Sequence, residues 1–333
     1  MVVSNSKAKL TLVTTRLNSI LLVQMPPRLT VLEAVAFREM FKSFLEDSTI
    51  NKIILDFGQT TIIDSSGVGS MITNLKLAQT KKVELVLWSV NEQVKLAFGL
   101  VGLDKILNIE TNTQATIPTL NRKTDKRPPV THPSVRSPVK RAVDIVGAMI
   151  GLGVTAVLFV PIAIAIKLDS PGPILFSQTR CGWMGRRFRI WKFRSMVTNA
   201  EALKATIANQ ASGAFFKNDN DPRITRVGRF LRKTSLDEFP QFWNILTGDM
   251  SLIGTRPPTP DELEHYEIEN WQRLDVRPGL SGEWQVNGRS KIRDFEDVIK
   301  LDLRYQDNWS LLYDFKLILK TIIVVFNKDS GAV

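Results

Sequence analysis

The sequence is poor in cysteine: Cys181 is the only one among 333 residues. A disulfide within the chain is therefore excluded, and a single thiol is typical of a protein in a reducing compartment. The sequence places no cluster of metal ligands around Cys181, so we expect this residue to be a bystander. A signal peptide is also lacking, because the first long apolar run follows a whole polar domain. We therefore expect the N-terminal part to stay in the cytoplasm.

Acidic residues are outnumbered by basic ones, 33 against 44, which gives a formal net charge of +11. Such an excess indicates an anionic partner: nucleic acid, a phosphorylated substrate or an anionic membrane face. The sequence contains no helix-turn-helix, zinc or aromatic-basic module, so we do not expect nucleic-acid binding. The glycines around Gly182 form no P-loop, because no Gly-Lys-Ser/Thr closes the pattern.

Large apolar residues are nearly absent between Glu110 and Pro138, where Thr, Asn, Lys, Arg and Pro dominate. A segment of this composition cannot bury enough surface to fold, and it predicts an extended, basic linker. The length of the chain agrees with two domains. We therefore expect an N-terminal domain at 1–110, a linker at 111–138 and a second domain at 139–333.

The first domain alternates strand-like and helix-like runs, which is typical of a small α/β sandwich. A turn near Leu17-Asn18 should join its first two strands, and Asp64-Ser65-Ser66-Gly67 should open a helix. The predicted runs are a strand pair over Leu10 to Met25, a helix over Val31 to Leu45, a strand over Lys52 to Phe57, a strand over Val83 to Val90 and a helix over Asn91 to Phe98.

This order of elements, and the junction at Asp64-Ser65-Ser66-Gly67 above all, resembles the STAS domain of anti-sigma-factor antagonists. The resemblance implies that Ser65 or Ser66 can be phosphorylated and that the domain binds a regulatory protein. The alternative, which we favour for the two serines, is that both hydroxyls only cap the helix.

Charge is absent from Ile145 to Ile166, an apolar run about as long as a bilayer span. A buried core helix is the alternative, but a helix that is apolar all round is uncommon in a soluble domain of this size. Basic residues flank the run on both sides, whereas a simple span predicts a bias to one side. We therefore predict a re-entrant hairpin, about 143–167, that enters and leaves on the cytoplasmic face and breaks at Pro161.

Two adjacent carboxylates follow two cations in the stretch Arg232 to Gln241. Ser235 with Glu238 three residues later could form a capping box, and Gly248 could end the helix, so a purely structural role remains open. Pro240 falls where such a helix should already bond its backbone, which predicts an irregular turn. Irregular turns often mark functional sites.

This arrangement suits phosphoryl transfer. A carboxylate such as Asp237 can attack a phosphoryl centre, and cations must then balance the charge on the equatorial oxygens. Arg232, Lys233 and Arg256 could supply those cations.

Several linked motifs closely resemble the bacterial sugar transferases that act as monotopic polyprenyl-phosphate phosphoglycosyltransferases. The resemblance runs from about Lys140 to the C-terminus, and it implies a membrane α/β catalytic domain with a re-entrant helix. The motifs are Lys192-Phe193-Arg194-Ser195-Met196, Asp221-Pro222-Arg223-Ile224-Thr225, Leu236-Asp237-Glu238, Gly248-Asp249-Met250-Ser251 and Arg256-Pro257.

By this resemblance Asp237 is the nucleophile and a ligand of Mg²⁺, and Glu238 is its partner carboxylate. Lys192, Arg232 and Arg256 match phosphate-contacting cations. The implied reaction moves a sugar-1-phosphate from a UDP-sugar to undecaprenyl phosphate and releases UMP through a covalent aspartyl intermediate. It would start exopolysaccharide or related glycan synthesis at the cytoplasmic face of the bacterial inner membrane.

Two C-terminal stretches complete the expectations. The run Arg277 to Gly282 and the run Gln285 to Arg289 match the family and indicate a nucleotide-sugar loop, although simple turns would also fit. Tyr305 to Phe326 predicts interfacial amphipathic helices, with core packing as the alternative. A homo-oligomer is a further candidate assembly. The competing function is a membrane-anchored STAS-type signalling adaptor, against which stands the presence of both Asp237 and Glu238.

Overall fold

The computed structural model describes residues 12–110, 132–212, 216, 218, 220–288, 292 and 294–326. The chain forms two compact units. The first comprises Met1–Thr131 together with Glu267–Asp275, and the second comprises His132–Tyr266 and Val276–Val333.

The first unit is an α/β fold, as the sequence predicts. Its strands and helices are β1 Thr14–Leu17, β2 Ile20–Gln24, β3 Arg28–Leu29, α1 Val31–Glu46, β4 Lys52–Asp56, β5 Ile62–Ile63, α2 Ser65–Thr80, β6 Glu84–Trp88, α3 Glu92–Val101 and β7 Asn108–Glu110. A five-stranded sheet has the order β1-β2-β4-β6-β7. Only the β1–β2 pair in it is antiparallel, and β3 pairs with β5 in a separate parallel ladder.

The local sequence accounts for these elements. Ile53, Ile54 and Leu55 are consecutive buried residues in β4, which is typical of a parallel strand that is covered on both faces. Phe37 and Phe41 are spaced by one helical turn, and both are buried on the inner face of α1. The predicted strand pair, helices and central strands are confirmed, whereas the short strands β3, β5 and β7 were not predicted.

The start of α2 differs from the expectation that serine hydroxyls cap it. Asp64 is the N-cap residue, and its carboxylate accepts a hydrogen bond from Gly67 N at 2.9 Å. Ser65 and Ser66 lie inside the first turn, and both are fully buried. The capping interpretation of the two serines is therefore wrong, because the carboxylate one residue earlier already accepts the bond from the first turn.

The predicted linker lies for the most part outside the described residues. Where the description resumes, α4 Pro133–Arg136 and α5 Pro138–Asp169 follow each other. Pro133 and Pro138 occupy first-turn positions, where the missing N–H would have no helical partner anyway. The Ser137 hydroxyl caps α5 by accepting from Lys140 N at 3.1 Å.

The second unit is also mixed α/β. Beyond α5 its elements are β8 Leu175–Cys181, β9 Arg187–Phe193, α6 Ala200–Leu203, α7 Arg226–Lys233, α8 Phe242–Thr247, β10 Ser251–Ile253, α9 Pro260–Glu264, β11 Gly279–Ser281, α10 Glu283–Gly288, α11 Phe295–Asp307 and α12 Leu311–Phe326. β8 and β9 form an antiparallel hairpin, and β10 pairs in parallel with β11.

Helix α5 is the long apolar element that the sequence predicts. It has 32 residues, its most apolar window has a mean hydropathy of 2.5, and 22% of that window is buried. Within the described residues it is the one helix long and apolar enough to cross a membrane. The helix runs on through Pro161, so the structure shows no break at this residue, where the sequence analysis placed one. The Thr155 hydroxyl donates to Gly151 O at 2.6 Å. The exposed large apolar side chains of α5 are Val139, Val146, Met149, Ile150, Val154, Val157, Val160, Ile164 and Leu168.

The buried side of α5 carries the elements that follow in the chain. Ile162 and Ile166 pack with Phe193 of β9 and Leu231 of α7. Gly151 allows close contact with α8, because a Cβ there would lie 2.4 Å from the Phe242 ring. Three elements near the predicted site thus pack on one helix.

Helix α12 contributes to the core and also exposes large apolar side chains, and its place at a membrane interface stays a prediction. Leu317 of α12 is buried, whereas Leu312, Phe315, Leu319, Ile322 and Ile323 are exposed. A buried carboxylate also fixes α12: Asp314 accepts from Lys140 Nζ at 2.7 Å, from Tyr305 OH at 2.9 Å and from Trp309 Nε1 at 3.1 Å.

Candidate active site

The two adjacent carboxylates lie on a tight 3₁₀ turn, Leu236–Gln241, between α7 and α8. Ser235 has a φ of 56° and makes no capping hydrogen bond, so the predicted capping box is wrong. The irregular turn expected from Pro240 is confirmed, and Gly248, with a φ of 90°, ends α8 as predicted. A left-handed residue is uncommon outside glycine, so the turn is held in a strained conformation.

Asp237 and Glu238 differ in their surroundings. Asp237 is buried, with 5% of its surface exposed. Glu238 is half-buried and pairs with Lys192 Nζ of β9 at 2.9 Å. Glu238 therefore binds across to the hairpin instead of capping its own helix.

Arg232 lies at the end of α7 and faces the same group of charges. Its Nε donates to Ser195 Oγ at 3.0 Å. Burial lowers the pKa of Arg232, while the charges of Asp237, Asp221 and Glu238 oppose that shift. Lys233, the neighbouring candidate cation, is exposed.

Arg256 is held in a fork by a single carboxylate. Its two terminal nitrogens donate to Glu262 of α9 at 2.7 and 2.9 Å. Glu262 also accepts from Thr259 N in the capping box that begins α9. Burial alone would raise the pKa of Glu262, but the charge and hydrogen bonds of Arg256 outweigh it and lower the pKa to about 2.

Arg180 of β8 connects the two groups of charges, and sequence reasoning did not single it out. Burial and the neighbouring charge of Arg256 lower the pKa of Arg180 to about 10, and the carboxylates of Glu262 and Glu238 act in the opposite direction. The guanidinium donates to Pro257 O at 3.1 Å and to Gln178 Oε1 at 2.8 Å. Arg180 lies in a strand with polar residues at alternating positions, and this pattern was the sequence signal that could have identified it.

The motif Asp221-Pro222-Arg223 forms a buried ion pair. Arg223 donates to both carboxylate oxygens of Asp221, the shortest contact being 2.7 Å. The guanidinium also lies 5.0 Å from the centre of the Phe216 ring. Burial raises the pKa of Asp221, but the hydrogen bonds and charge of Arg223, with a smaller contribution from Arg232, lower it overall.

Some of the predicted site residues are in direct contact, and others interact electrostatically at longer range. Lys192 and Glu238 form an ion pair, and the charges of Asp237 and Glu238 act on Arg232. Arg256 pairs with Glu262, and the charges of Arg256, Glu262 and Glu238 all act on Arg180. Pro161 lies in α5 without belonging to this group, and Ser65 and Ser66 belong to the first unit.

The carboxylates near Asp237 suit a metal that binds substrate at the same time. Among the described residues, no group of three or more His, Cys, Asp or Glu side chains could hold a metal ion alone. Mg²⁺ is commonly held by one or two carboxylates together with substrate phosphates. The residues present therefore fit Mg²⁺ at Asp237 in a phosphate-bound complex.

Comparison with protein families agrees with this two-part structure. The STAS domain model matches residues 11–116, and the model described as bacterial sugar transferase matches residues 135–328. The first part of the chain is thus a STAS domain. The chain as a whole belongs to the bacterial sugar transferase family.

Curated relatives share the transferase part. The galactosyl transferase CpsE of Streptococcus agalactiae is 51% identical over 191 residues, which cover 56% of this chain and 42% of that protein. The UDP-glucose:undecaprenyl-phosphate glucose-1-phosphate transferase of Escherichia coli is 42% identical over 195 residues, covering 56% of this chain and 40% of that protein. The chain therefore spans less than half the length of these two relatives. The exopolysaccharide production protein ExoY of Sinorhizobium fredii is 37% identical, over 56% of this chain and 84% of that protein.

Among solved structures, a putative anti-sigma factor antagonist from Thermotoga maritima matches the N-terminal part. It is 28% identical, covers 31% of this chain and 87% of its own, and has a TM-score of 0.28.

Proposed function

We propose that this protein transfers a sugar-1-phosphate from a UDP-sugar to undecaprenyl phosphate, releases UMP and so begins the synthesis of an exopolysaccharide or related glycan. The observation that carries the proposal is the buried Asp237 on a 3₁₀ turn, whose charge acts on the nearby Arg232, with the Lys192–Glu238 pair beginning at the next residue. The acceptor and the reaction type are supported by the names of the relatives, one of which transfers glucose-1-phosphate to undecaprenyl phosphate.

In the proposed first step, a carboxylate oxygen of Asp237 forms a bond to the phosphorus that carries the sugar. The bond from this phosphorus to the bridging oxygen breaks, and UMP leaves with the bonding electrons. Burial supports this role, because a desolvated carboxylate without a water shell is a better nucleophile. The product is an acyl-phosphate that holds the sugar on the enzyme.

In the second step, an oxygen of undecaprenyl phosphate bonds to the same phosphorus. The bond to Asp237 breaks, which restores the carboxylate and yields the lipid diphosphate sugar. Two displacements at one phosphorus need little from the protein beyond positioning and charge, which fits a site made mainly of cations and carboxylates.

The cations have distinct proposed roles. Arg232, fixed by Ser195, contacts the phosphate nearest Asp237, and Lys192 is presented to the same phosphate by Glu238. Arg256 binds the second phosphate from its fixed position on Glu262. Mg²⁺ bound at Asp237 would neutralise charge on the phosphate oxygens.

We also propose that α5 is re-entrant, so that the STAS and transferase parts both lie on the cytoplasmic side of the inner membrane. The uncharged run inside α5, its exposed apolar side chains and Pro161 within the helix support this insertion. A site that uses a lipid phosphate and a soluble nucleotide sugar must lie at the interface between membrane and cytoplasm.

The test is an assay of UMP release. The detergent-solubilised protein is incubated with undecaprenyl phosphate, Mg²⁺ and a panel of UDP-sugars, and Asp237→Asn is compared with Asp297→Asn, an exposed carboxylate in α11. We expect Asp237→Asn to lose release and Asp297→Asn to keep it. The acid-quenched wild-type protein should gain the mass of a phosphosugar on the peptide that holds Asp237. Turnover of Asp237→Asn at the wild-type rate would exclude the covalent mechanism.

A further inference from the structure

Residues Glu267–Asp275, here called the docking segment, lie inside the range matched by the sugar transferase model yet belong to the first unit. The segment contains a 3₁₀ helix, Ile268–Leu274, which packs on α1 and α2. Ile268, Trp271 and Leu274 are its buried apolar residues, at 1%, 3% and 1% exposure. Part of the transferase sequence is therefore built into the core of the STAS unit.

Trp271 fits against a glycine of α2. A Cβ placed on Gly69 would lie 2.4 Å from Cδ2 of the indole, a distance that real contacts do not reach. Glycine in a helix interior costs about 1 kcal/mol relative to alanine. The close approach of Trp271 gives Gly69 a packing role that offsets this cost.

Polar contacts fix both ends of the docking segment. At its start, Glu267 pairs with Arg38 of α1 at 2.6 Å. At its end, Asp275 Oδ1 accepts from Ser65 N, in the first turn of α2, at 2.9 Å. A buried apolar centre flanked by polar contacts is the usual arrangement of a specific interface.

The chain on either side of the docking segment supports Arg256. Before the segment, α9 carries Glu262, which holds the guanidinium in its fork. After it, Gly279 N at the start of β11 donates to Thr255 O at 2.9 Å, one residue before Arg256. The docking segment is thus the stretch of chain that joins two supports of one candidate phosphate-binding cation.

We propose that the docking segment is an intramolecular ligand of the STAS domain, and that its docking sets the position of Arg256 through α9 and β11. A partner of the STAS domain that uses the Gly69 surface must displace Trp271 first. The effect on Arg256 rests on the proposed transferase function, whereas the docking itself does not.

The test uses hydrogen–deuterium exchange on the full-length protein with Gly69→Ala. This substitution favours the helix but places a methyl group inside the Trp271 contact, so the segment must shift. We expect amide exchange in Glu267–Asp275 to become about tenfold faster, as overpacking of this kind predicts. Gly99→Ala is the matched control, because Gly99 lies in α3 of the same unit and its Cβ would meet no atom closer than 3.7 Å.

A second variant separates docking from general damage. In a Trp271→Ala background the methyl group meets no indole, so adding Gly69→Ala should produce no further change. Protection of β4 should stay at the wild-type level throughout. Unchanged exchange of the segment in Gly69→Ala, or an equal effect of Gly69→Ala with and without Trp271, would overturn the docking proposal.

An assay of UMP release then tests whether docking of the segment controls Arg256. A changed rate in Gly69→Ala with an unchanged rate in Gly99→Ala would support control through Arg256. Faster exchange of the segment with wild-type release would overturn that control while leaving the docking intact. If the wild-type protein released no UMP with any donor, the proposed function would fail, and the exchange data would still decide on the docking.

Discussion

At the scale of single residues, Glu262 shows burial and a neighbouring charge acting in opposite directions. Its carboxylate is nearly buried, yet the fork from Arg256 holds its pKa at about 2, well below the ordinary value of 4.5. The folded state therefore releases the proton at lower pH than the unfolded state. This pair stabilises the fold fully above about pH 4.5, and the contribution is lost as the pH falls toward 2.

We expect Glu262→Gln to lower the free energy of unfolding by about 3 kcal/mol at pH 7, because about two and a half pKa units are lost and Arg256 stays behind without its charge partner. Denaturant unfolding of the solubilised protein at pH 7 and pH 3 measures this. The loss should shrink at pH 3. Asp261→Asn, an exposed carboxylate on the same helix, is the control. An equal loss at both pH values would contradict the assignment.

Asp64 and Asp275 form the opposite case. Burial and the charge of Asp275 raise the pKa of Asp64 to about 7, and burial raises the pKa of Asp275 to about 6. The docked pair therefore holds protons that separated carboxyl groups would release above about pH 4. Other charged groups on the packed α1 and on the segment include the Arg38–Glu267 pair and the buried Arg273. Glu33, Glu39, Lys42 and Glu46 of α1 and Glu269 of the segment are also charged.

Raising the pH through the window from about 4 to 7 should accordingly loosen the docking segment, because the undocked state binds fewer protons there. Asp275→Asn keeps an acceptor for Ser65 N and removes one of the two titrating groups together with its charge on Asp64, so its docking should depend much less on pH. Exchange of Glu267–Asp275 at pH 5.5 and 8, corrected for intrinsic rates, measures this. Glu267→Gln leaves the carboxyl pair intact and should respond like the wild type. A variant Asp275→Asn with the full wild-type pH response would refute the assignment of this response to the Asp64–Asp275 pair.

At the scale of elements, α7 depends on close backbone contact. A Cβ on Gly228 would lie 2.0 Å from Ser195 O, which also accepts from Thr225 N at 3.1 Å. The same Ser195 binds Arg232 through its hydroxyl at 3.0 Å. The first turn of α7 and the cation at its far end thus share one anchor.

Gly228→Ala should push α7 away from Ser195, destabilise the fold by about 1 to 3 kcal/mol and lower UMP release by roughly tenfold or more. Unfolding and release are measured on the same preparation. Gly153→Ala in α5, where a Cβ meets no atom within 4 Å, is the matched control and should keep both values. Wild-type release by a folded Gly228→Ala protein would show that Arg232 needs no such anchor.

Helix α5 gives a test of topology. Ser137 and Ser170 are its two caps, so cysteines placed there report on both ends. In a Cys181→Ser background, both should resist an impermeant thiol reagent in intact cells and react after lysis. Pro161→Leu restores a backbone donor and should favour a straight span, which exposes one end. Reaction at one position without the Pro161 change would establish a spanning helix instead.

At the scale of the whole molecule, the catalytic candidates all follow Lys140, so a chain beginning at Ser134 should still release UMP, with its rate changed in the same direction as in Gly69→Ala because the segment is undocked in both. Without the STAS domain, however, Ile268, Trp271 and Leu274 lose the surface that buries them. Such an apolar patch promotes association. We expect the shortened protein to self-associate, and Trp271→Ser to reduce this without changing release. A folded, membrane-bound but inactive shortened chain would show that the two domains share a site.

Features set by neighbouring residues could be predicted from the sequence, whereas features set by residues far apart in the chain could not. The helices, the central strand and the carboxylate motif follow from local patterns. Strand β9 was missed, although the alternation of Arg187, Phe188, Arg189 and Ile190 has the period of a strand. The cap of α2 was misassigned because Asp64 and the serines after it are all good caps. Only the backbone geometry selects among them.

The remaining features join residues far apart in the chain. Glu262 as partner of Arg256 and Arg180 as a link between charge groups depend on how hairpin and helix pack, which no local period encodes. The docking of Trp271 on Gly69 connects positions about two hundred residues apart. Glycine in a helix signals a close approach, but the sequence does not name the side chain that approaches.

The fit of Trp271 against Gly69 also bears on how such proteins can be recombined. Domains separated by a linker are ordinarily exchanged at a single fusion point within the linker. A chimaera made that way here would contain a STAS domain that lacks the docking segment packed into its core. The new transferase would have to supply a tryptophan that packs on Gly69 in the same way. A working chimaera therefore needs two transferred segments, the N-terminal domain and the nine residues Glu267–Asp275.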